Sequence, residues 1–161
     1  MANFTSIIGR NEFIDLVDLG VTGVPSKIDT GALASSLHVA SAEVINEGGR
    51  PTLVCKLFGH PCFPELADFK TQNFEVVTVR SSNGIEQKRY KIKLRIRLAK
   101  KSFTTGFTLA SREKNVFPIL IGREALRKRY MVDVSRAGVK QSQLVKKYGL
   151  SEDINQEDLE D

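Results

Sequence analysis

Asp29-Thr30-Gly31 places a carboxylate in a glycine-containing turn, directly after the strand-like run Ser26–Ile28. A carboxylate in such a turn can activate water. Amide hydrolysis without a metal or a covalent intermediate needs two acids close together, which cannot both ionise and so share one proton. The ionised one takes a proton from water, and the protonated one donates to the carbonyl oxygen. Gly31 allows a tight turn and close backbone approach. Taken alone, the tripeptide is more often a plain polar turn, because Asp and Gly are common turn residues. The chain has one Asp-Thr-Gly and no Asp-Ser-Gly. One copy therefore supplies half a dyad. A two-fold dimer would supply Asp29 twice. Another acid of the same chain, such as Asp133, is the alternative, and spacing does not select it.

A second group with chemical potential is Cys55, His60 and Cys62, with His38 more distant. Structural zinc sites favour short Cys-x-x-Cys or His-x-x-x-His spacings, and no His-Glu-x-x-His occurs. No metal is assigned, and the thiols read as small core residues. No glycine-rich loop ends in Gly-Lys-Ser or Gly-Lys-Thr, so no nucleotide cofactor is expected. Two cysteines are too few for a disulfide scaffold and suit a reducing cytoplasm. The first ten residues lack a secretory pattern, and no apolar run is long enough to span a membrane.

The elements that must position these groups are mostly strands. Residues 7–21 suggest a strand, a turn at Gly9-Arg10-Asn11, and a second strand. Ser35–Val44 and Pro51–Phe58 suggest a hairpin around Gly48-Gly49. Gly59–Thr71, with Pro61 and Pro64, reads as a loop. Phe74–Arg80 leads to Asn83-Gly84, a strong hairpin signal. The return strand alternates Tyr90, Ile92, Leu94, Ile96 and Leu98 with Lys91, Lys93, Arg95 and Arg97, so one face is buried and the other solvated. Phe103–Leu109 continues the pattern. Pro118–Ile121 is a short apolar strand ending at Gly122, followed by a helix over Arg123–Tyr130, a last strand over Met131–Ser135 and a helix over Val139–Tyr148. Many short strands with one or two helices imply a mostly β barrel or sandwich.

A chain of 161 residues suits one domain, placed at 1–150. Its net charge of +5 is unevenly spread: residues 1–80 carry −3, residues 81–150 carry +14 and residues 151–161 carry −6. The acidic segment 151–161 has the composition of a disordered tail. The basic block calls for either a solvated face or an anionic partner.

Several ordered motifs carry a family resemblance. Lys27-Ile28-Asp29-Thr30-Gly31-Ala32 resembles the active-site turn of retropepsins. Ile119-Leu120-Ile121-Gly122-Arg123 resembles their second signature, which threads beside that turn and leads into the closing helix. Together with Ser35-Ser36-Leu37-His38, Arg80 to Gly84, Arg89-Tyr90, Glu124-Ala125-Leu126 and Val132-Asp133, they resemble the bacterial RimB-type branch, also labelled ATP-dependent zinc proteases. The likeness spans roughly residues 8–136. It implies a retropepsin-like closed barrel and aspartic-type hydrolysis of peptide or glutamyl amide bonds. Asp29, Thr30 and Gly31 would form the catalytic turn, with Thr30 bracing one turn against the other. Ala32, Ser36, His38, Asn83, Gly84, Arg89 and Arg123 are the implied substrate-side positions. Gly48-Gly49 and Asn83-Gly84 are both candidate flap tips. Leu33 stands where retropepsins usually have an acid, so Arg123 is expected to lack that partner. The resemblance also implies a homodimer, an acidic protein or peptide substrate, and a glutamate ligase of the ATP-grasp kind as partner.

The basic strand, flanked by Lys88, Arg89, Lys100 and Lys101, admits a rival function. It could hold acidic protein tails or RNA without catalysis. Nucleic acid is the weaker partner, because the chain has 3 Tyr, 9 Phe and no Trp, and only Tyr90 interleaves the stretch.

Overall fold

A computed structural model describes residues 5–80 and 83–149; the acidic segment 151–161 and the domain boundary drawn before it lie outside the described residues. The strands are β1 (Ser6–Ile8), β2 (Asn11–Leu16), β3 (Val21–Ile28), β4 (Ser35–Glu47), β5 (Arg50–His60), β6 (Phe63–Thr71), β7 (Glu75–Arg80), β8 (Glu86–Leu98), β9 (Lys101–Ala110), β10 (Ile119–Ile121) and β11 (Tyr130–Val132). Two helices, α1 (Arg123–Leu126) and α2 (Gln141–Tyr148), follow β10 and β11.

The main sheet runs β10-β3-β2-β8-β9-β4 and closes on itself because β10 also pairs with β4. The strand alternation explains the closure. In β8, Ile92, Leu94, Ile96 and Leu98 are buried while Lys93, Arg95 and Arg97 face solvent. The buried side chains meet Ile14, Leu16, Leu37, Phe107, Ile119 and Ile121 inside the ring. A sheet with one apolar face must bury it, and closure does so while removing free edges. The fold is mostly β, with the closed ring of strands that the motifs implied.

β5 and β6 extend the sheet beyond the ring from β4. The β4–β5 hairpin turns at Gly48 and Gly49, with φ of 61° and 79°. Two consecutive positive φ values define the turn that suits strand twist, and glycine adopts them without strain. The β7–β8 pairing ends at Arg80↔Glu86, so that hairpin has a longer connection than two residues.

Three expectations need correction. Residues 59–71 are not a loop. Phe63–Thr71 is a strand, paired from Leu53↔Thr71 to His60↔Phe63 with a register shift between Phe58 and His60. Pro64 falls within that shift, on a strand with no other neighbour among the described residues, where a missing N–H is tolerated. The helix after Gly122 stops at Leu126, because Lys128 takes φ of 65° and Tyr130 joins β11 against Ser6. The last strand is Tyr130–Val132 rather than Met131–Ser135. Tertiary pairing outweighed helix propensity there.

Candidate active site

β10 lies between the two strands that enter and leave the Asp29 turn. It runs parallel to β3, with Ile121↔Ile28, and antiparallel to β4, with Leu120↔Ser36. The turn is thus clamped from behind by one crossing segment. The Asp29 amide donates to the Ile121 carbonyl at 2.9 Å, and the Arg123 and Glu124 amides donate to the Ala32 and Leu33 carbonyls at 2.8 and 3.0 Å. The Gly122 amide donates to Ser35 Oγ at 3.0 Å. A Cβ on Gly122 would lie 2.6 Å from the Ala34 carbonyl oxygen, so only glycine permits this approach.

Asp29 itself is half-buried, and Thr30 and Gly31 are exposed. The Asp29 carboxylate accepts the Gly31 amide at 2.9 Å through Oδ1. No other described side chain donates to it. Asp133, the in-chain alternative, has its Oδ1 engaged by the Ser135 amide and hydroxyl at 3.0 and 2.6 Å. Those bonds hold its carboxyl below the usual range.

In place of an acid, Arg123 Nη1 donates to the Thr30 carbonyl at 3.0 Å. Guanidinium geometry lets an arginine replace a carboxylate partner with a backbone carbonyl. Beside this contact lies a cavity of about 320 Å³ lined by Thr30, Arg123, Leu126, Arg127, Tyr130 and Val132. Glu124 reaches across to Lys91 at 3.3 Å, tying α1 to the start of the basic run of β8.

The family described as RimB-like, retropepsin-like aspartic endopeptidase RimB, matches residues 7–143. The chain belongs to this family. It is 30% identical over 140 residues to a probable alpha-L-glutamate ligase of Shewanella pealeana, and 26% identical over 130 residues to one of Desulfotalea psychrophila. Those alignments cover 85% and 79% of this chain but 30% and 28% of the relatives. The chain thus spans less than a third of the length of the curated relatives it matches. A protein of unknown function from Legionella pneumophila has a solved structure that aligns with a TM-score of 0.63 and 27% identity, over 83% of this chain and 97% of that one.

The RimB-type motif residues fall in separate places. Asp29, Thr30, Gly31, Ala32 and Arg123 come together at the turn through the bonds above. Ser36 and His38 lie on β4, the strand that leaves the turn, and are buried at 7% and 1% exposure against β10 and the residue before it. His38 Nδ1 accepts the Arg112 amide at 2.8 Å. His60, whose ring meets that of His38 at 5.1 Å, donates from Nε2 to the Arg112 and Asn115 carbonyls at 2.8 and 2.9 Å. The two histidines shape the segment that leads into β10, a role that spacing alone did not reveal. Asn83 and Gly84 sit at the exposed β7–β8 hairpin, and Arg89 lies on β8 with Nη2 on Gln87 at 3.3 Å.

The zinc in the branch's other label does not fit these residues. Among the described residues no three His, Cys, Asp or Glu side chains gather as a metal site. His60 uses both ring nitrogens, since its Nδ1 accepts the Cys62 amide at 2.9 Å. Burial pushes the Cys55 and Cys62 thiols up to about 11, away from the thiolate a metal needs. Among the described residues no helix is long and apolar enough to cross a membrane.

Proposed function

We propose that this chain is an aspartic-type hydrolase of peptide or glutamyl amide bonds, working as a two-fold dimer in which each copy contributes Asp29. The observation that carries the reading is the clamped turn. Asp29 is fixed by the crossing β10 segment, yet among the described residues its carboxylate is engaged only by its own turn. That is an acid held in place for a partner outside the chain's own hydrogen bonds.

The surface next to the turn suits a second copy. Ile7 and Met131 stand in register on the β1–β11 pair and are 55% and 63% exposed, with Val134 at 74%. The cavity beside Thr30 is lined by Tyr130 and Val132, which flank Met131 on β11 and point to the other face, so the strand pair that carries this surface also borders the turn. A two-fold axis through it would cover the apolar side chains and bring the two Asp29 carboxylates together. One would be ionised and take a proton from water. The other would protonate the carbonyl oxygen as water adds; the first acid would then pass water's proton to the leaving amine while the second takes a proton back from the collapsing diol.

The substrate side favours acidic chains. Lys93, Arg95 and Arg97 project outward from β8, at a strand spacing of ~6.6 Å that matches alternate side chains of an extended peptide. The curated relatives are named as glutamate ligases, which favours a glutamate-rich segment as substrate and such a ligase as partner. Two free, buried thiols suit a cytoplasmic setting. The test is hydrolysis of a glutamate-rich peptide by the wild type and by Asp29→Asn. Loss of turnover with retained folding supports the reading; unchanged turnover overturns it. The rival reading, a binding module using the same basic face, predicts salt-sensitive peptide binding and no turnover by either protein.

A further inference from the structure

The outer face of β8 is unusual in what it lacks. Among the described residues Lys93, Arg95 and Arg97 have no ion-pair partner, whereas Lys91 is paired with Glu124. Their in-register neighbours on β9 are Gly106, Thr104 and Ser102, which are small and neutral. The acids nearest in register or bonding are Asp15, opposite Arg97, and Asp18. Each accepts a backbone amide, Gly23 N at 2.9 Å and Arg95 N at 2.8 Å.

We infer that residues 151–161 of the same chain dock on this basic face. The segment carries six acids and no base. The last described residues before it lie close to the face. Lys147 and Tyr148, in the last turn of α2, line a groove of about 280 Å³ together with Phe13, Gly23 and Pro25. Phe13 is half-exposed on the outer side of β2, and Asp15, two residues along that side, pairs in register with Arg97. From Phe13 to Arg97 is roughly 8 Å across one strand spacing and one residue pair. Residues 150–161 can extend ~40 Å, against ~20 Å from Arg97 to Lys91. Tethering gives the segment an effective concentration on the order of millimolar, above that of a free acidic partner. If the chain hydrolyses acidic substrates on this face, the segment is a built-in competitor; that consequence rests on the function proposed above, while the docking does not.

Two measurements on the full chain separate these points. A spin label on Gln156→Cys, with Cys55 and Cys62 buried and unreactive, should broaden the backbone amide signals of residues 93–97 at low salt and release them at high salt. The broadening should persist on dilution with unlabelled protein. Absence of broadening at low salt overturns the docking, and broadening that vanishes on dilution assigns the face to a segment of another copy instead. A labelled deca-glutamate probe then tests competition by fluorescence anisotropy. Converting Glu152, Asp153, Glu157, Asp158, Glu160 and Asp161 to their amides should tighten probe binding about tenfold, and Arg95→Gln with Arg97→Gln should remove that gain. Docking with no probe binding by any variant would leave the inference standing and count against the acidic-substrate reading. Equal probe affinity with and without the six acids would overturn the competition.

Discussion

The Gly122 amide donates to the Ser35 hydroxyl at 3.0 Å, joining the segment that follows β10 to the strand that leaves the Asp29 turn. This bond exists only because Gly122 has no Cβ, since one would strike the Ala34 and Leu33 carbonyl oxygens at 2.6 and 2.8 Å. Gly122→Ala should therefore push the two segments apart. The expected cost is about 2–3 kcal/mol, a fall of roughly 5–10 °C in Tm. Ser35→Ala leaves the same amide buried without a partner and should cost about 1–3 kcal/mol. Thermal unfolding checks both, and hydrolytic activity should fall with them because the turn loses its support.

Asp29→Asn should behave differently. The side chain makes one short-range bond within its own turn, so the variant should unfold within about 1 kcal/mol of the wild type. Turnover of a glutamate-rich peptide should drop by roughly 10³-fold or more, because an amide cannot act as the general base. Kinetics and thermal unfolding on the same preparation give the contrast.

Association should be tied to activity. Met131→Glu puts a charge on the apolar β1–β11 surface, opposite Ile7, where the wild type exposes 63% of the side chain. A position this exposed should alter monomer stability by no more than about 0.5 kcal/mol. Sedimentation should show a shift toward monomer, and activity should recover at high protein concentration. A fully active monomer would argue for a dyad within one chain.

Acid should destabilise the fold through the buried histidines. Burial lowers the His60 pKa from its ordinary 6.5 to about 4, and it lowers that of His38 as well, with Arg112 adding to the effect. Protonating His60 would also place a hydrogen on Nδ1, which accepts the Cys62 amide. The unfolded chain therefore binds more protons than the folded one between about pH 6.5 and 4. Stability is fully present above pH 6.5, falls as pH drops through that window, and changes no further from this group below about 4. Denaturant unfolding across pH 7.5 to 4 should show the slope. His60→Asn should lower stability at pH 7.5 but flatten the slope.

Much of the fold was legible because the informative signals are local. The alternation of Ile92, Leu94, Ile96 and Leu98 with lysines and arginines defines a strand and its buried face without reference to any other segment. Gly48-Gly49 marks a tight hairpin for the same reason, through backbone geometry that glycine adopts freely. The misreadings came where a partner strand decides. Pro64 is tolerated because β6 is an edge with a register shift, and Arg127 to Tyr130 leave the helix because Tyr130 pairs with Ser6.

The sequence by itself determined the strand pattern, the acid at position 29 and the glycines that let two segments approach closely. These depend on residue type and short spacing. Tertiary structure alone decided that β10 closes the ring between β3 and β4, and that Arg123 holds the Thr30 carbonyl rather than an acid. It also decided that the His38 and His60 rings meet and that both hold the segment leading into β10. Such contacts join residues distant in the chain. Their energy depends on burial and hydrogen-bond geometry that no local spacing contains.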